Sequence, residues 1–264
     1  MTPDHCVQEY WDSVATDYDQ VFPETLIGRL QRQAVWRELG GAFHEGQRVL
    51  ELNCGTGIDA VRLAVKGVRV LACDVSPRMI AIATNRAAAA DVASSIDFRV
   101  LPTEEISALS EEKPFDGAFS NFSGLNCVAD HSAVARALAG LLSPGSLALF
   151  CVMGRFVPLE IAWFALGGRF NRATARLRNK LAGADFPGRV NIPSVGALAR
   201  AFQPEFRLES WRGIGVSIPP SSLGAIAAQF PRLTGFLANF DDPVSRIPVL
   251  RGWGDCVLLQ FRRL

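Results

Sequence analysis

Three groups of residues in this 264-residue chain have the types and the spacing for ligand chemistry. The first is Glu51-Leu52-Asn53-Cys54-Gly55-Thr56-Gly57, a buried-strand pattern that runs straight into a glycine turn, with residues 58–64 continuing as an amphipathic helix. Glycine has no Cβ, so bare backbone can come close to a ligand, and the free N–H groups of the turn and helix start point at it. The second is Asp74, at the tip of the next strand pattern over 68–73, followed by Val75-Ser76-Pro77. An acid at the end of a second parallel strand lies beside the first turn and can accept hydrogen bonds from both hydroxyls of a ribose. The third is Asn121-Phe122, which closes the strand pattern 115–121 at the carboxyl edge, where open α/β sheets hold their ligands. Together they predict a site for an adenosine-containing ligand.

The elements that must position these residues follow from periodicity. Residues 4–20 carry Tyr10, Trp11, Val14 and Tyr18 at helical spacing, and 25–39 reads as a second helix stopped by Gly40-Gly41. Helices over 77–90 and 131–142 alternate with strands over 96–100, 115–121 and 146–153, which is the doubly wound pattern of a parallel sheet with both faces covered. From Gly154 the rhythm changes. An apolar, aromatic helix over 155–166 precedes a helix over 169–181 on which Arg169, Arg172, Arg176 and Lys180 form one basic stripe. Pro187-Gly188 and Pro193 punctuate the return to helix at 194–202, so 154–195 reads as an insertion after the fifth strand. A strand over 207–217, a helix over 223–239 and a strand over 256–262 complete the chain.

The expected organisation is one domain over 1–264: leading helices in 1–45, a ligand-binding core over 46–153, a lid in 154–203 and a closing strand–helix–strand unit in 204–264. Lys and Arg number 27 against 26 Asp and Glu, a balance that argues against a general nucleic-acid binder. The hydrophobic share of 49% suits a doubly covered sheet and an apolar pocket. No apolar run approaches the roughly 18 residues of a transmembrane helix. Residues 1–5 lack a signal-peptide pattern, and the six scattered cysteines read as small buried thiols, so a cytoplasmic location is expected. Neither their spacing nor that of His5, His44 and His131 suggests a metal site.

Three ordered blocks, Glu51–Gly57, Asp74-Val75-Ser76-Pro77-Arg78-Met79 and Phe115-Asp116-Gly117-Ala118-Phe119-Ser120-Asn121-Phe122, resemble class I S-adenosylmethionine-dependent methyltransferases. The likeness is closest to the ubiquinone-biosynthesis-like, small-molecule branch (methyltransferase type 11), covers about 47–153, and extends more faintly to residues 10–22 and the last strand. It implies a Rossmann-like seven-stranded sheet of order 3-2-1-4-5-7-6 with the last strand antiparallel. It also implies S-adenosylmethionine as cofactor and S-adenosylhomocysteine as product. By the resemblance, Gly55, Thr56 and Gly57 meet the methionine part, and Glu51 and Asn53 fix the turn and the amino group. Asp74 takes the ribose, Val75 and Met79 flank the adenine, and Asn121 and Phe122 face the ligand from the fourth strand. Tyr10 and Tyr18-Asp19 match a Tyr-x7-Tyr-Asp segment whose second tyrosine lies near the donor carboxylate. The family often has an acid after the third strand to meet the adenine amino group; Pro102 stands there, so the contact moves to the Thr103 backbone or to Glu104, or is absent.

The acceptor side is less defined. The chain lacks the Asn/Asp-Pro-Pro-aromatic turn of amino-methylating nucleic-acid enzymes and the Pro-Cys of cytosine-5 enzymes, which leaves a small molecule or a lipid as substrate. The reaction is then in-line displacement at the sulfonium methyl, with alignment of the reactants as the protein's main task. His131, Tyr18 and Asn126 are the candidates to act on the acceptor, and Tyr10, Arg155, Glu160 and Trp163 the candidates to line its rim. Residues 155–181 read either as a peripheral membrane-surface element or as a helix buried against the domain with a solvated basic face. The chain is expected to act as a monomer or homodimer. Two rival readings stand beside this one: a non-catalytic S-adenosylmethionine-binding protein, and a nicotinamide oxidoreductase whose Gly-x-Gly-x-x-Gly pattern has Asn53 at its first position and Ala60 at its last.

Overall fold

The computed structural model describes residues 3–179 and 190–264, with side chains from Val7 onward in the first helix. Lys180, Leu181, Pro187 and Gly188, which the sequence assigns to the basic helix and the turn after it, lie outside the described residues. One sheet organises the chain. Its strands are β1 (Arg48–Leu52), β2 (Arg69–Asp74), β3 (Ile96–Val100), β4 (Phe115–Ser120), β5 (Leu142–Met153), β6 (Phe206–Ile214) and β7 (Cys256–Arg263). Their order is β3-β2-β1-β4-β5-β7-β6, parallel through β5, with β7 antiparallel to both of its neighbours. That is the predicted order and sense. The central register sets Glu51 beside Ala72 on one side and Phe119 on the other.

The helices are α1 (Pro3–Val14), α2 (Tyr18–Val21), α3 (Leu26–Ala42), α4 (Ile58–Ala64), α5 (Pro77–Ala89), α6 (His131–Leu141), α7 (Pro158–Leu166), α8 (Phe170–Ala173), α9 (Val195–Ala201), α10 (Gly224–Gln229), α11 (Pro231–Ala238) and α12 (Asp241–Val244). Side chains alternate across the sheet. Leu50, Leu52, Leu71 and Cys73 pack into a core with Val134 and Leu138 of α6 and Leu198 of α9. Val49, Val70 and Ala72 pack on the other face with Ala34, Val35 and Leu39 of α3 and Ala60 and Leu63 of α4. At the β5–β7 end, Phe202 stacks on Phe261 at 4.8 Å and meets Phe150 at 5.1 Å, contacts worth about 0.5–1.5 kcal/mol each beyond area burial.

Several expected boundaries move, each for a local reason. The first helix divides at 15–17, and the short α2 follows. α3 runs through Gly40-Gly41 to Ala42, because its last turn is capped instead by Phe43, whose N–H bonds to the Leu39 carbonyl and whose ring is buried. Two glycines at the end of a helix cost about 1 kcal/mol each, which such packing outweighs. The predicted helix 223–239 breaks into α10 and α11 at Phe230-Pro231, since proline lacks an N–H and drives the preceding residue off helical geometry. The basic helix does not form as expected. α8 spans four residues, and Arg176 is buried rather than part of a surface stripe. Its guanidinium pairs with Glu160 (2.9 and 2.8 Å) and with Asp255 (2.7 Å), and it donates to the carbonyls of Gly154 and Asp255. An arginine fork satisfied by two buried carboxylates outweighs a helical repeat of exposed cations.

Candidate functional site

A cavity of about 270 Å³ lies at the carboxyl edge of β1, β2 and β4, covered by α1 and α2. The glycine turn after β1 forms its floor. Asn53, Gly55 and Gly57 all have left-handed φ, at 56°, 54° and 74°. Asparagine tolerates that region better than most residues with a side chain, and Ser120 Oγ donates to the Asn53 carboxamide oxygen at 3.2 Å. The two glycines answer different needs. A Cβ on Gly57 would stand 2.7 Å from Ala83 of α5, whereas a Cβ on Gly55 would meet nothing nearer than Tyr18 at 3.9 Å. Gly57 is a packing glycine; Gly55 leaves open space over the turn.

Asp74 is fixed from behind. Its carboxylate accepts the Gly55 N–H at 2.8 Å and the Ser76 N–H at 3.0 Å. Each oxygen keeps further acceptor capacity toward the cavity. Burial lifts this carboxyl to about 6, and the backbone N–H groups of Ser76, Gly55 and Val75 hold the rise in check. Val75 and Met79 complete this side of the wall, and Ser76 caps α5 by accepting the Met79 N–H at 3.1 Å.

A polar group forms at the start of α4. Asp59 accepts hydrogen bonds from Arg32 (2.5 Å), from the Trp36 indole (2.6 Å) and from the Asn121 carboxamide (2.9 Å). Arg32, Asp59 and Asn121 all border the cavity, and the Arg32 guanidinium lies 4.7 Å over the Phe122 ring. Two polar atoms here are buried with no partner: Arg32 Nε and Glu51 Oε2. Burial, with Asp59 nearby, raises the Glu51 carboxyl well above the usual carboxylate range. Phe122 and Ser123 follow with successive left-handed φ of 46° and 74°. Such conformations cluster at ligand sites and cost about 1–3 kcal/mol each.

The leading helices close the top. Thr56 Oγ1 donates to Asp19 at 2.6 Å, and Arg86 of α5 pairs with the same carboxylate while its Nε donates to the Thr56 carbonyl at 2.9 Å. Asp12 accepts the Ser76 hydroxyl at 2.5 Å. Tyr10, Trp11 and Tyr18 therefore border the cavity, with Trp11 edge-on to Tyr18 at 6.2 Å. Burial pushes the Tyr18 phenol up to about 12, against the nearby Arg32, so it stays protonated and is a donor rather than a base.

Other predicted site residues stand elsewhere. Thr103 is buried and Glu104 exposed, and neither borders the cavity. Asn126 does border it, but its carboxamide is engaged on both ends, donating to the Asn191 carbonyl (2.7 Å) and accepting the Met153 N–H (2.9 Å). His131 is buried at the start of α6 with Nε2 2.9 Å from the Leu125 carbonyl, away from the cavity. Glu160 belongs to the Arg176 network and also accepts the Ser222 hydroxyl at 2.6 Å. Trp163 is half exposed on α7, and Arg155 donates to the Leu177 carbonyl on the outer side of Met153. Residues that sequence reasoning missed are Trp11, Arg32, Asp59, Ser123, Cys127 and Met153 in the wall. Arg32 and Asp59 sit at ordinary helical positions, and only their convergence in space marks them.

These features fit S-adenosylmethionine. Open space over Gly55, hydroxyl acceptors on Asp74 and an unpartnered arginine N–H for a carboxylate lie around one cavity; Glu51, whose Oε2 is also unpartnered, is buried and does not border it. Among the described residues no group of three or more His, Cys, Asp or Glu could hold a metal ion, and no helix is long and apolar enough to cross a membrane.

The sheet order is that of the seven-stranded, Rossmann-like α/β fold shared with solved S-adenosylmethionine-dependent methyltransferases. Residues 49–145 match the family model described as a methyltransferase domain. The chain is 32% identical over 119 residues to the ubiquinone biosynthesis O-methyltransferase of Bordetella pertussis, which is 45% of this chain and 47% of that one. It thus spans about half the length of the curated relatives it matches. Among solved structures, the geranyl diphosphate C-methyltransferase from Streptomyces coelicolor A3(2) superposes with a TM-score of 0.65 at 14% identity, covering 100% of this chain and 99% of that one. The N-methyltransferase NodS from Bradyrhizobium japonicum, solved with S-adenosylhomocysteine, does so at 0.60 and 13% identity, covering 97% and 98%. At these identities the likeness is one of fold.

Proposed function

We propose that this protein transfers the methyl group of S-adenosylmethionine to a small, apolar acceptor by in-line displacement. The observation that carries the proposal is the Asp74 carboxylate, held by the Gly55 and Ser76 N–H groups with its remaining acceptor sites over the open glycine turn. When bound, the donor supplies a methyl on a sulfonium whose leaving group is a neutral thioether. The residues that border the cavity then bind and orient it: Asp74 the ribose, Val75 and Met79 the adenine, Arg32 and Tyr18 the carboxylate; the buried Glu51, through its unpartnered oxygen, answers the ammonium. Tyr10, Trp11, Phe122 and Met153 form the apolar wall left for the acceptor, and α1 and α2 exclude water above it.

Proton removal is the open side of the site. Tyr18 keeps its proton, and Asn126 and His131 are engaged with backbone. This supports an acceptor that reaches the cavity as a free amine, a thiolate or a readily ionised hydroxyl, its proton passing to solvent. The same feature supports a second reading, a donor-binding protein without turnover. Peripheral membrane contact through 155–179 keeps the support of exposed Leu159, Trp163, Leu166 and Phe170 beside Arg169 and Arg172.

Parallel calorimetric titrations with S-adenosylmethionine, S-adenosylhomocysteine and NADH test the donor. Binding of the first two alone is expected; binding of NADH alone would overturn the proposal. Labelled-methyl transfer to a panel of amines, thiols and phenols then separates catalysis from binding, since turnover of any member ends the second reading.

A further inference from the structure

On the outer face of α3 and α4 a shallow groove of about 580 Å³ is bordered by Trp36, Arg37, Gly40, Arg62 and Lys66. Arg37 and Gly40 stand with Trp36 on α3, Arg62 lies on α4, and Lys66 lies in the turn just after it. Both Arg62 and Lys66 lie against α3. The Arg62 guanidinium stacks on the Trp36 ring at 5.0 Å, and Lys66 lays its ammonium over Gly40 so closely that a Cβ there would stand 2.7 Å from Nζ. No carboxylate borders the groove, and among the described residues none of these three cations forms an ion pair. Exposed arginines and lysines ordinarily extend to water. Arg62 and Lys66 instead lie back against α3, beside Arg37, and give one groove three cations with no counter-charge.

We propose that this groove binds the polyphosphate group of a small molecule. Phosphate oxygens suit a groove lined by two guanidinium forks and an ammonium. The groove also has a connection to the cavity. The Trp36 indole under Arg62 donates to Asp59, and Asp59 holds Arg32 and Asn121 in the cavity wall. Occupancy that settles Arg62 on Trp36 fixes the Asp59 hub and with it Arg32, so the anion and the methyl donor strengthen each other's binding. This second part rests on the donor reading above; anion binding itself does not.

The test is calorimetry on the full chain with inorganic pyrophosphate, in the parent and in an R62Q/K66Q variant, with sodium sulfate at matched ionic strength as control. The parent is expected to bind pyrophosphate at millimolar concentration or tighter, and the variant at least tenfold more weakly. No binding in the parent, equal binding in the variant, or an equal response to sulfate would each overturn the site. S-adenosylhomocysteine titrations with and without pyrophosphate read the coupling: a severalfold tightening that the variant lacks supports it, and an unchanged affinity removes it. If the parent binds no S-adenosylhomocysteine at all, the donor reading fails while the pyrophosphate arm still decides the groove.

Discussion

Thr56 and Asp19, one in the glycine turn and one in α2, are joined by a hydrogen bond of 2.6 Å. The cover of the cavity is thereby fastened to its floor, and Arg86 locks the pair by binding both the Asp19 carboxylate and the Thr56 carbonyl. Replacing Asp19 with Ala should leave the sheet intact and release α1 and α2. The charge-assisted bonds lost are worth about 1–2 kcal/mol, so S-adenosylhomocysteine should bind roughly tenfold more weakly. Calorimetry gives the affinity and limited proteolysis near residue 20 gives the release; unchanged values for both would remove the latch.

Donor affinity should depend on pH through Asp74. Ribose hydroxyls donate best to the ionised carboxylate, and burial lifts that carboxyl to about 6. Affinity for S-adenosylhomocysteine should therefore fall about tenfold between pH 7 and pH 5. Stability of the ligand-free protein moves the other way. The folded carboxyl binds protons more readily than its unfolded counterpart near 3.9, so this group's contribution to stability grows as pH falls from about 6 toward about 4. Asp74→Asn should lose the inflection near pH 6 in both curves, which titrations and thermal melts across the range would show.

Glu51 offers a measurement that needs no acceptor. Burial raises its carboxyl above the usual carboxylate range, and an ammonium arriving at its unpartnered oxygen should lower it again. Binding enthalpies in buffers of different ionisation heat should report more proton release in the parent protein than in Glu51→Gln. Equal release in both would place the donor's ammonium elsewhere.

The two glycines of the turn should separate stability from binding. Gly57→Ala forces a side chain into left-handed backbone and against Ala83, and should cost about 2–4 kcal/mol of stability. Gly55→Ala meets open space and should cost only about 1 kcal/mol from its backbone angle, yet it should weaken donor binding by tenfold or more. A Gly55→Ala protein with full donor affinity would mean the donor does not pass over the turn.

The glycine turn and Asp74 could be read from the chain because each is written locally: strand patterns end at punctuating residues, and these groups sit at those ends; the sheet order came only through the family resemblance. Arg32 and Asp59 could not, since a helix-interior arginine and an acid in a first turn look like solvated surface until α3 and α4 bring them together. Arg176 failed for the opposite reason. Its helical spacing from Arg169 and Arg172 was a true local signal, overridden by carboxylates 16 and 79 residues away. His131 and Asn126 were plausible by position, but position does not reveal that a backbone carbonyl or N–H already claims their polar atoms.

Phe122 and Ser123 hold successive left-handed conformations without being glycine. The folded chain is therefore less stable than its own sequence neighbourhood allows, and Ser123→Gly is an accessible route to a higher melting temperature. The same change would loosen the loop that carries Phe122 against Arg32 and Phe22. A laboratory selection for heat resistance alone would thus favour variants here that bind their ligands less well, and only a selection that also demands ligand binding would keep the serine.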